Sequence, residues 1–391
     1  MFSSRFNWGL ERNRLTTALE LKRQVGVPIL DLTQSNPTRV GLRYPPGILE
    51  AFADERILRY DPLPAGTLEA RRAVAAYYHS RGVAVEPERI LLTASTSEAY
   101  AYLFKLLADP GDEVLVPSPS YPLFEFLAVM ESVFVRSYPL VYHASWTIDW
   151  ESLANAVGPR TRAIVVVNPN NPTGSYLKRQ DLERLTSICA GKQIALVSDE
   201  VFSDYAFGAN PARVPTLADV EDGLAFSLSG LSKIAGLPQM KLGWIVVAGS
   251  SENRRLAWDR LEWIADTYLS VGTPVQSAAP RLLAEGELIQ EQIRRRTSEN
   301  LDFLTGSFGG LSAATVLTVE GGWCATIRIP RIRSEEEWTL ELLDGWNVLV
   351  QPGFFYDFDS EAFLILSLLP EYATFQEGVS RLRECIELCG S

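Results

Sequence analysis

Short apolar runs alternate with amphipathic runs through the first two thirds of the chain. Residues 90–93, 164–167 and 194–197 are apolar at nearly every position, which is typical of strands that are covered on both faces of a sheet. Residues 68–80 and 98–107 instead carry apolar side chains at helical spacing. Strands that alternate with helices in this way predict an α/β fold with a mostly parallel sheet.

The pattern changes in the last third of the chain. Residues 252–269 and 274–303 predict two helices, the second long enough to leave one domain and enter another. Shorter elements follow, namely strands 316–319, 324–329, 348–350 and 363–368 and helices 335–343 and 375–388. We therefore predict a smaller α+β unit after the large one. The predicted division is 1–45 for an N-terminal arm with part of the small domain, 46–285 for the large ligand-binding domain, and 286–391 for the C-terminal small domain.

Composition narrows the class of protein. The 391 residues are 47% hydrophobic and 21% charged, which is ordinary for a globular enzyme. A net charge of -12 argues against a nucleic-acid partner, because such binding needs a basic surface. The four cysteines show no paired metal-ligand spacing, so no metal site is expected. No apolar run reaches about 18 residues and no signal-peptide pattern is present, so we expect no membrane association and a cytoplasmic location.

A single lysine lies on a tight connection between two apolar strands, 225–228 and 242–248. Lys233 ends the stretch Ser-Leu-Ser-Gly-Leu-Ser-Lys at 227–233. A lysine in an apolar setting loses part of its preference for the charged form and becomes a usable amine nucleophile. A lysine after a serine is also found on ordinary surface loops, so this pattern alone leaves both interpretations open.

Hydroxyl residues follow the strand at 90–93 and precede a helix. Ser95, Thr96 and Ser97 thus lie where free backbone N–H groups and the helix dipole favour an anion. Serine and threonine at this position also cap helices without any ligand. The motif predicts either a phosphate site or a plain helix cap.

Polar residues also follow the strands at 164–167 and 194–197. The loop 168–174 contains two Asn-Pro pairs, which stiffen the backbone and leave amide side chains projecting from the strand end. Asp199 and Glu200 follow the second strand at once. Open α/β sheets bind ligands at the carboxyl ends of their strands, so we expect these side chains to meet at one site.

In this order, the motifs resemble those of the class I/II aminotransferases, which belong to the fold type I pyridoxal phosphate-dependent enzymes, over nearly the whole chain. The most specific part is the loop 168–174, which looks like the family's asparagine-proline-threonine-glycine loop, followed by Asp199 with Glu200 and by Ser232 with Lys233. The resemblance implies a large domain with a mostly parallel seven-stranded sheet, a smaller α+β domain and pyridoxal 5'-phosphate as cofactor.

The resemblance also implies catalytic roles. Lys233 would bind the cofactor covalently and then act as general base at the substrate carbon. Asp199 would pair with the protonated pyridine nitrogen, which keeps the ring an electron sink. Asn171 would donate a hydrogen bond to the phenolic oxygen and contact the substrate, and Tyr121 would stack on the ring face.

The same resemblance implies which residues bind the phosphate group and how the subunits are arranged. Tyr60 is similar to the tyrosine that reaches the phosphate of the neighbouring subunit, so a homodimer with shared active sites is implied. The implied phosphate ligands of the same chain are Ser95, Thr96, Ser97, Ser232 and Lys241.

The reaction implied is transfer of an amino group from an amino acid to a 2-oxo acid in a ping-pong cycle. A carbon–sulfur β-lyase on the same fold would use Lys233 and Asp199 in the same way, so it stays as an alternative. A non-enzymatic, cofactor-binding regulator would need a partner-binding appendage, and the sequence shows no DNA-binding extension.

Four positions depart from the family pattern. Gly230 replaces a serine that usually contacts phosphate, and Lys241 replaces an arginine, which exchanges a bidentate fork for a point charge. Phe202 stands where many relatives carry a tyrosine that donates to the phenolic oxygen, and a phenyl ring cannot donate. Ile365 stands at the position of the arginine that binds the substrate carboxylate.

The missing arginine raises the question of what binds the carboxylate. Either another cation takes this role or the substrate presents no carboxylate there. Arg39, in the loop that resembles the family's substrate-facing N-terminal segment, is the predicted replacement. Arg328 is a weaker candidate, because an arginine on an alternating strand can simply point outward.

Overall fold

The structure is a computed structural model that describes residues 2–6, 12–269, 271–310, 313–360 and 362–389. Residues 7–11 of the predicted N-terminal arm lie outside the described residues. The strands are β1 Leu30–Asp31, β2 Ile90–Thr93, β3 Glu113–Ser118, β4 Phe134–Tyr142, β5 Trp146–Ile148, β6 Thr161–Val167, β7 Ala195–Asp199, β8 Leu224–Gly230, β9 Gly243–Gly249, β10 Thr315–Val316, β11 Cys324–Arg328, β12 Val348–Leu349, β13 Gln351–Pro352 and β14 Phe363–Ser367.

Helices cover both faces of the larger sheet and one face of the smaller one. Several begin at the polar residues that the sequence places there: Thr67 caps α3, Ser95 caps α4, and Ser334 forms a capping box with Glu337 at α11. The helices are α1 Arg14–Gln24, α2 Gly47–Glu50, α3 Leu68–His79, α4 Thr96–Leu107, α5 Leu123–Met130, α6 Trp150–Ala156, α7 Arg179–Lys192, α8 Leu231–Ile234, α9 Ser251–Tyr268, α10 Thr273–Phe308, α11 Glu335–Trp346 and α12 Tyr372–Cys389.

The large sheet has the strand order β2-β9-β8-β7-β6-β3-β4-β5. The pairs β8–β7, β7–β6, β6–β3 and β3–β4 are parallel, whereas β9 is antiparallel to both of its neighbours. Every residue of β9 is buried, as is nearly every residue of β6, which explains their continuous apolar sequences. The predicted α/β class with a mostly parallel sheet is confirmed.

The predicted number of seven strands is wrong, because this sheet has eight. The additional strand is β5, three residues long, which pairs antiparallel with β4 at the sheet edge. The turn between the two strands has Ala144 at φ 63°. Three residues carry too little hydrophobic pattern to predict a strand, so only the pairing with β4 identifies it.

A second sheet, with the order β10-β11-β14-β13, belongs to the C-terminal part of the chain. Separately, β1 pairs in parallel with β12, which ties the N-terminal segment to that part. The strand predicted at 316–319 is shorter and ends at Val316. The helix predicted at 274–303 is longer, since α10 runs from Thr273 to Phe308. No helix of the described residues combines the length and the apolar character needed to cross a bilayer.

Helix α10 connects the two parts of the molecule. Its first turns pack against α3 and α8, and its later turns pack against α12 and β10. The proposed domain boundary after residue 285 falls within this helix. Gly286 lies near this boundary. An added Cβ atom there would come within 2.5 Å of the Cβ atom of Ala235, the residue that follows α8, so the close packing requires a glycine.

We expect Gly286→Ala to destabilise the protein by about 1–3 kcal/mol, because the added methyl group overpacks the contact between α10 and Ala235. Gly306→Ala is the matched control on the same helix, since an added Cβ atom there meets nothing within 4 Å. The control should gain up to about 1 kcal/mol from helix propensity. Urea unfolding of both variants measures the difference, and equal midpoints for Gly286→Ala and wild type would contradict this packing.

Candidate active site

A cavity of about 410 Å³ lies at the carboxyl ends of β6 and β7, between the large sheet and the smaller one. It collects residues from segments far apart in the chain. The predicted site residues that line it are Thr96, Ser97, Tyr121, Asn171, Asp199, Phe202, Ser232 and Lys233. The lining is completed by Thr33, Ser35, Tyr100, Leu123, Phe124, Leu127, Val167, Val201, Trp323, Cys324, Gln351, Tyr356 and Ser367.

Lys233 lies on α8, the single helical turn between β8 and β9. Its Nζ atom is 5.6 Å from the ring centroid of Phe202 and 5.1 Å from that of Trp323. The Tyr205 hydroxyl donates a hydrogen bond of 2.6 Å to the Lys233 carbonyl, which fixes the turn. Burial lowers the pKa of the Lys233 amine below its ordinary value. The lysine therefore gives up its proton more readily than a surface lysine does, as a nucleophilic amine must.

Gly230 precedes this turn and explains one departure from the family pattern. A Cβ atom there would lie 2.8 Å from the Leu242 carbonyl oxygen and 2.9 Å from the Gly243 Cα atom. Both contacts are with backbone, which cannot move aside easily. A serine at position 230 would therefore force β8 and β9 apart in this chain.

Asp199 ends β7 and points its carboxylate into the cavity. The Val201 N–H donates to one carboxylate oxygen at 3.2 Å, and the Tyr100 hydroxyl donates to the other at 3.3 Å. Burial, outweighing these hydrogen bonds, raises the pKa of Asp199 to about 6. The neighbouring Glu200 points away from the cavity and accepts hydrogen bonds from Thr216, Leu217 and Ser227. The two adjacent carboxylates thus have different roles.

The loop after β6 is fixed by its own amide side chains. Asn168 binds the Val214 carbonyl and the Leu177 N–H, and Asn170 binds the Pro119 carbonyl and Thr173. Asn171 differs from both, because its buried side-chain oxygen has no hydrogen-bond partner among the described residues. The unpaired oxygen is an acceptor, and its Nδ2 group donates to none of the described residues either, so a polar ligand group can bind beside this amide.

The two interpretations of the hydroxyl motif at α4 apply to different residues of it. The Ser95 side chain accepts the Glu98 N–H at 3.2 Å and caps the helix, and it does not line the cavity. Thr96 and Ser97, in the first turn of this twelve-residue helix, do line it, together with Ser232. Hydroxyl donors at a helix N-terminus fit a phosphate group.

Three other predicted residues do not line the cavity of this chain. Lys241 is exposed, Tyr60 is 75% exposed, and Arg39 is exposed just beyond the Thr33–Ser35 segment that does line it. The alternative candidate Arg328 is exposed at the end of β11. Tyr121 lines the cavity with 48% of its surface exposed.

Several lining residues were not predicted from the sequence. Tyr100 lies one helical turn after Thr96, which is a signal that could have placed it beside the site. Trp323 and Cys324 follow the Gly321–Gly322 turn, and Gln351 and Tyr356 come from the β13 region. Only the packing of the small sheet against the large one brings these four to the cavity.

The groups around the cavity match the cofactor implied by the sequence motifs. They comprise an amine of lowered pKa, a carboxylate held by neutral donors, an unpaired amide and a hydroxyl-rich helix N-terminus. Together with the α/β architecture, they are the groups that an enzyme needs to bind pyridoxal phosphate through a lysine.

Comparison with known proteins identifies the family. The family "Aminotransferase class I and II" matches residues 28–376, so the chain belongs to it and is an aminotransferase. It is 25% identical over 387 residues to the tyrosine aminotransferase of Mus musculus, covering 94% of this chain and 83% of that protein. It is 26% identical to the glutamate-pyruvate aminotransferase AlaA of Haemophilus influenzae, covering 93% of this chain and 92% of that protein.

A solved structure shows the same fold. The alanine aminotransferase from Pyrococcus furiosus superposes with a TM-score of 0.88 at 23% identity, covering 99% of this chain and 100% of that one. The fold is therefore that of the fold type I aminotransferases.

The raised pKa of Asp199 predicts that the free energy of unfolding of the cofactor-free protein depends on pH. Because the folded state holds this proton more tightly than the unfolded state, stability falls as pH rises from about 4 to about 6. We expect Asp199→Asn to raise the free energy of unfolding at pH 7 by an amount on the order of 3 kcal/mol. The gain should disappear below pH of about 4, where the aspartate is protonated in both states.

Urea unfolding of the cofactor-free protein at several pH values measures this effect. The exposed Asp222→Asn is the matched control and should show no such pH-dependent gain. A gain for Asp199→Asn that is the same at pH 4 and pH 7 would contradict the assigned cause.

Proposed function

We propose that this aminotransferase uses pyridoxal 5'-phosphate to move an amino group from an amino acid to a 2-oxo acid by a ping-pong mechanism. The observation that carries the proposal is the Lys233 amine of lowered pKa, which opens on the same cavity as the Asp199 carboxylate and the unpaired Asn171 amide. The β-lyase alternative is not favoured by the named relatives, which are aminotransferases.

Different residues of the cavity would bind different parts of the cofactor. When bound, pyridoxal phosphate supplies an electron sink that stabilises negative charge at the substrate carbon. Asp199 would hold a proton on the ring nitrogen, Asn171 would bind the phenolic oxygen, and Tyr121 would lie against the ring face. Thr96, Ser97 and Ser232 would donate to the phosphate. Ser95 and Lys241 stay predictions from the sequence as further phosphate ligands.

Lys233 would also move the proton at the substrate carbon. Its lowered pKa keeps a larger fraction of the amine neutral, so Nζ can accept a proton and return it. The rings of Phe202 and Trp323 contact each other and lie beside this amine, which limits its contact with water. Since Phe202 cannot donate a hydrogen bond, Asn171 would be the neutral donor for the phenolic oxygen.

A homodimer and a cytoplasmic location are part of the proposal. Leu49, Leu58, Tyr60 and Trp263 are between 75% and 84% exposed, so this surface offers large apolar side chains to a partner. A second copy of the chain would cover them and could receive Tyr60 at its phosphate site. The four cysteines are free thiols, which suits a reducing compartment.

Lys233→Ala tests the proposed function. The wild type should carry a cofactor that borohydride fixes to the Lys233 peptide, detected by mass spectrometry, and an amino acid should change the absorbance of the bound cofactor. A 2-oxo acid should then restore the original spectrum. Lys233→Ala should lose the fixed adduct and the reaction, whereas the exposed Lys192→Ala control should keep both.

Two results would contradict this function. One is an adduct and turnover that persist in Lys233→Ala. The other is release of pyruvate from a sulfur-containing amino acid with no 2-oxo acid present, without any amino group transfer, which is the behaviour of a lyase.

A further inference from the structure

The wall of the cavity formed by β13 and β14 has no positively charged residue to pair with a carboxylate. Ile365 is 1% exposed and packs among Trp146, Tyr356 and Phe363 on the inner face of the small sheet. It therefore takes no part in binding polar groups. The residue opposite Ile365 in the strand register is Gln351, on β13. Unlike Ile365, Gln351 lines the cavity, so a neutral amide lies on the strand next to the position where the family pattern has a cation.

The Gln351 amide has a fixed orientation. Its side-chain oxygen accepts a hydrogen bond from the Tyr356 hydroxyl. The Nε2 group makes no hydrogen bond with any described residue, so it is the donor left for a ligand in the cavity. A neutral amide donates equally well to a carboxylate oxygen, an amide oxygen or a hydroxyl.

The charged residues around the cavity also favour recognition by a neutral hydrogen bond. Among the described lining residues, only Asp199 and Lys233 are charged, and both have roles toward the cofactor. Ser367 donates to the Gln34 carbonyl and accepts the Leu369 N–H. Burial raises the pKa of the Cys324 thiol to about 12, so the thiol is neutral at pH 7. A substrate carboxylate would thus find hydrogen-bond donors on this wall but no positive charge.

From this arrangement we propose that Gln351, held by Tyr356, is the residue that recognises the carboxyl end of the substrate, through a neutral hydrogen bond instead of an ion pair. The substrate class is then wider than amino acids and includes α-amino amides and amino alcohols. This inference rests on the proposed function and names the substrates of the same site. Arg39 is the competing group, because a cation would favour carboxylates strongly over neutral amides.

The test compares three forms of one donor. A screen of amino acids by the absorbance change of the bound cofactor selects the donor with the highest rate. Its kcat/KM is then compared with that of its own amide and of the corresponding amine without a carboxyl group. We expect the acid to exceed the amide by less than about 30-fold, because a single neutral donor discriminates weakly between them. The dissociation constants of 2-methylalanine and its amide, measured by calorimetry, should give a similar ratio without turnover.

Variants separate recognition from structural support. Gln351→Leu should lower kcat/KM for the acid and the amide by about 10-fold, mainly through KM, and leave the plain amine unchanged. Gln351→Arg should favour the acid over the amide, since it adds a cation. The exposed Gln180→Leu on α7 is the matched control and should change none of these values.

Four other outcomes would contradict either this proposal or the proposed function. An acid preferred over its amide by more than about 30-fold in the wild type would overturn the proposal, as would an equal loss for all three forms in Gln351→Leu. A 30-fold or larger loss for amino acids in Arg39→Ala would also overturn it, in favour of Arg39 as the carboxylate ligand. If no amino acid changes the spectrum of the bound cofactor, the proposed function itself fails.

Discussion

The central constraint on this molecule is that an amine and a carboxyl group are withdrawn from water into one cavity. Burial shifts both groups toward their neutral forms, since the pKa of Asp199 rises to about 6 and that of Lys233 falls. No ion pair within 4 Å joins them among the described residues. Each is held by neutral partners instead, Asp199 by Tyr100 and Val201 and Lys233 by aromatic rings. The protein thus gives up stability to keep two reactive groups available for a ligand.

The surrounding structure makes this cost tolerable by fixing the backbone around both groups. The buried Glu200 joins the end of β7 to β8 through Ser227 and to the 216–217 segment, while Asn168 and Asn170 hold the loop after β6. The absent side chain at Gly230 lets β8 and β9 approach closely where Lys233 leaves the sheet. A rigid frame of this kind positions side chains more accurately than a flexible loop would.

Two of the departures from the expected family pattern, Phe202 and Ile365, are buried in separate apolar clusters. Phe202 packs edge-on against Trp323 with ring centroids 5.3 Å apart, and Tyr205 does so at 5.2 Å. Ile365, on β14, packs instead with Trp146, Tyr356 and Phe363 and does not line the cavity. Because positions 202 and 365 carry apolar residues, the polar contacts that we propose for the site fall to Asn171 and Gln351. The site is therefore less charged than its motifs alone suggest.

The sequence by itself determined the α/β class and the family, and it predicted three residues that the structure brings to one cavity: Lys233 after a strand, Asp199 at a strand end, and Asn171 in a loop stiffened by prolines. These signals are short-range, so a single chain segment carries each of them. Tertiary structure decided the eighth strand, the capping role of Ser95, the hydrogen bond from Tyr100 to Asp199, and the position of Gln351 beside the cavity. The eighth strand is too short to carry a hydrophobic pattern, so only its pairing with β4 defines it. The role of Ser95 depends on which of two competing hydrogen bonds forms, and Tyr100 and Gln351 reach the site only because the fold brings together segments far apart in the chain.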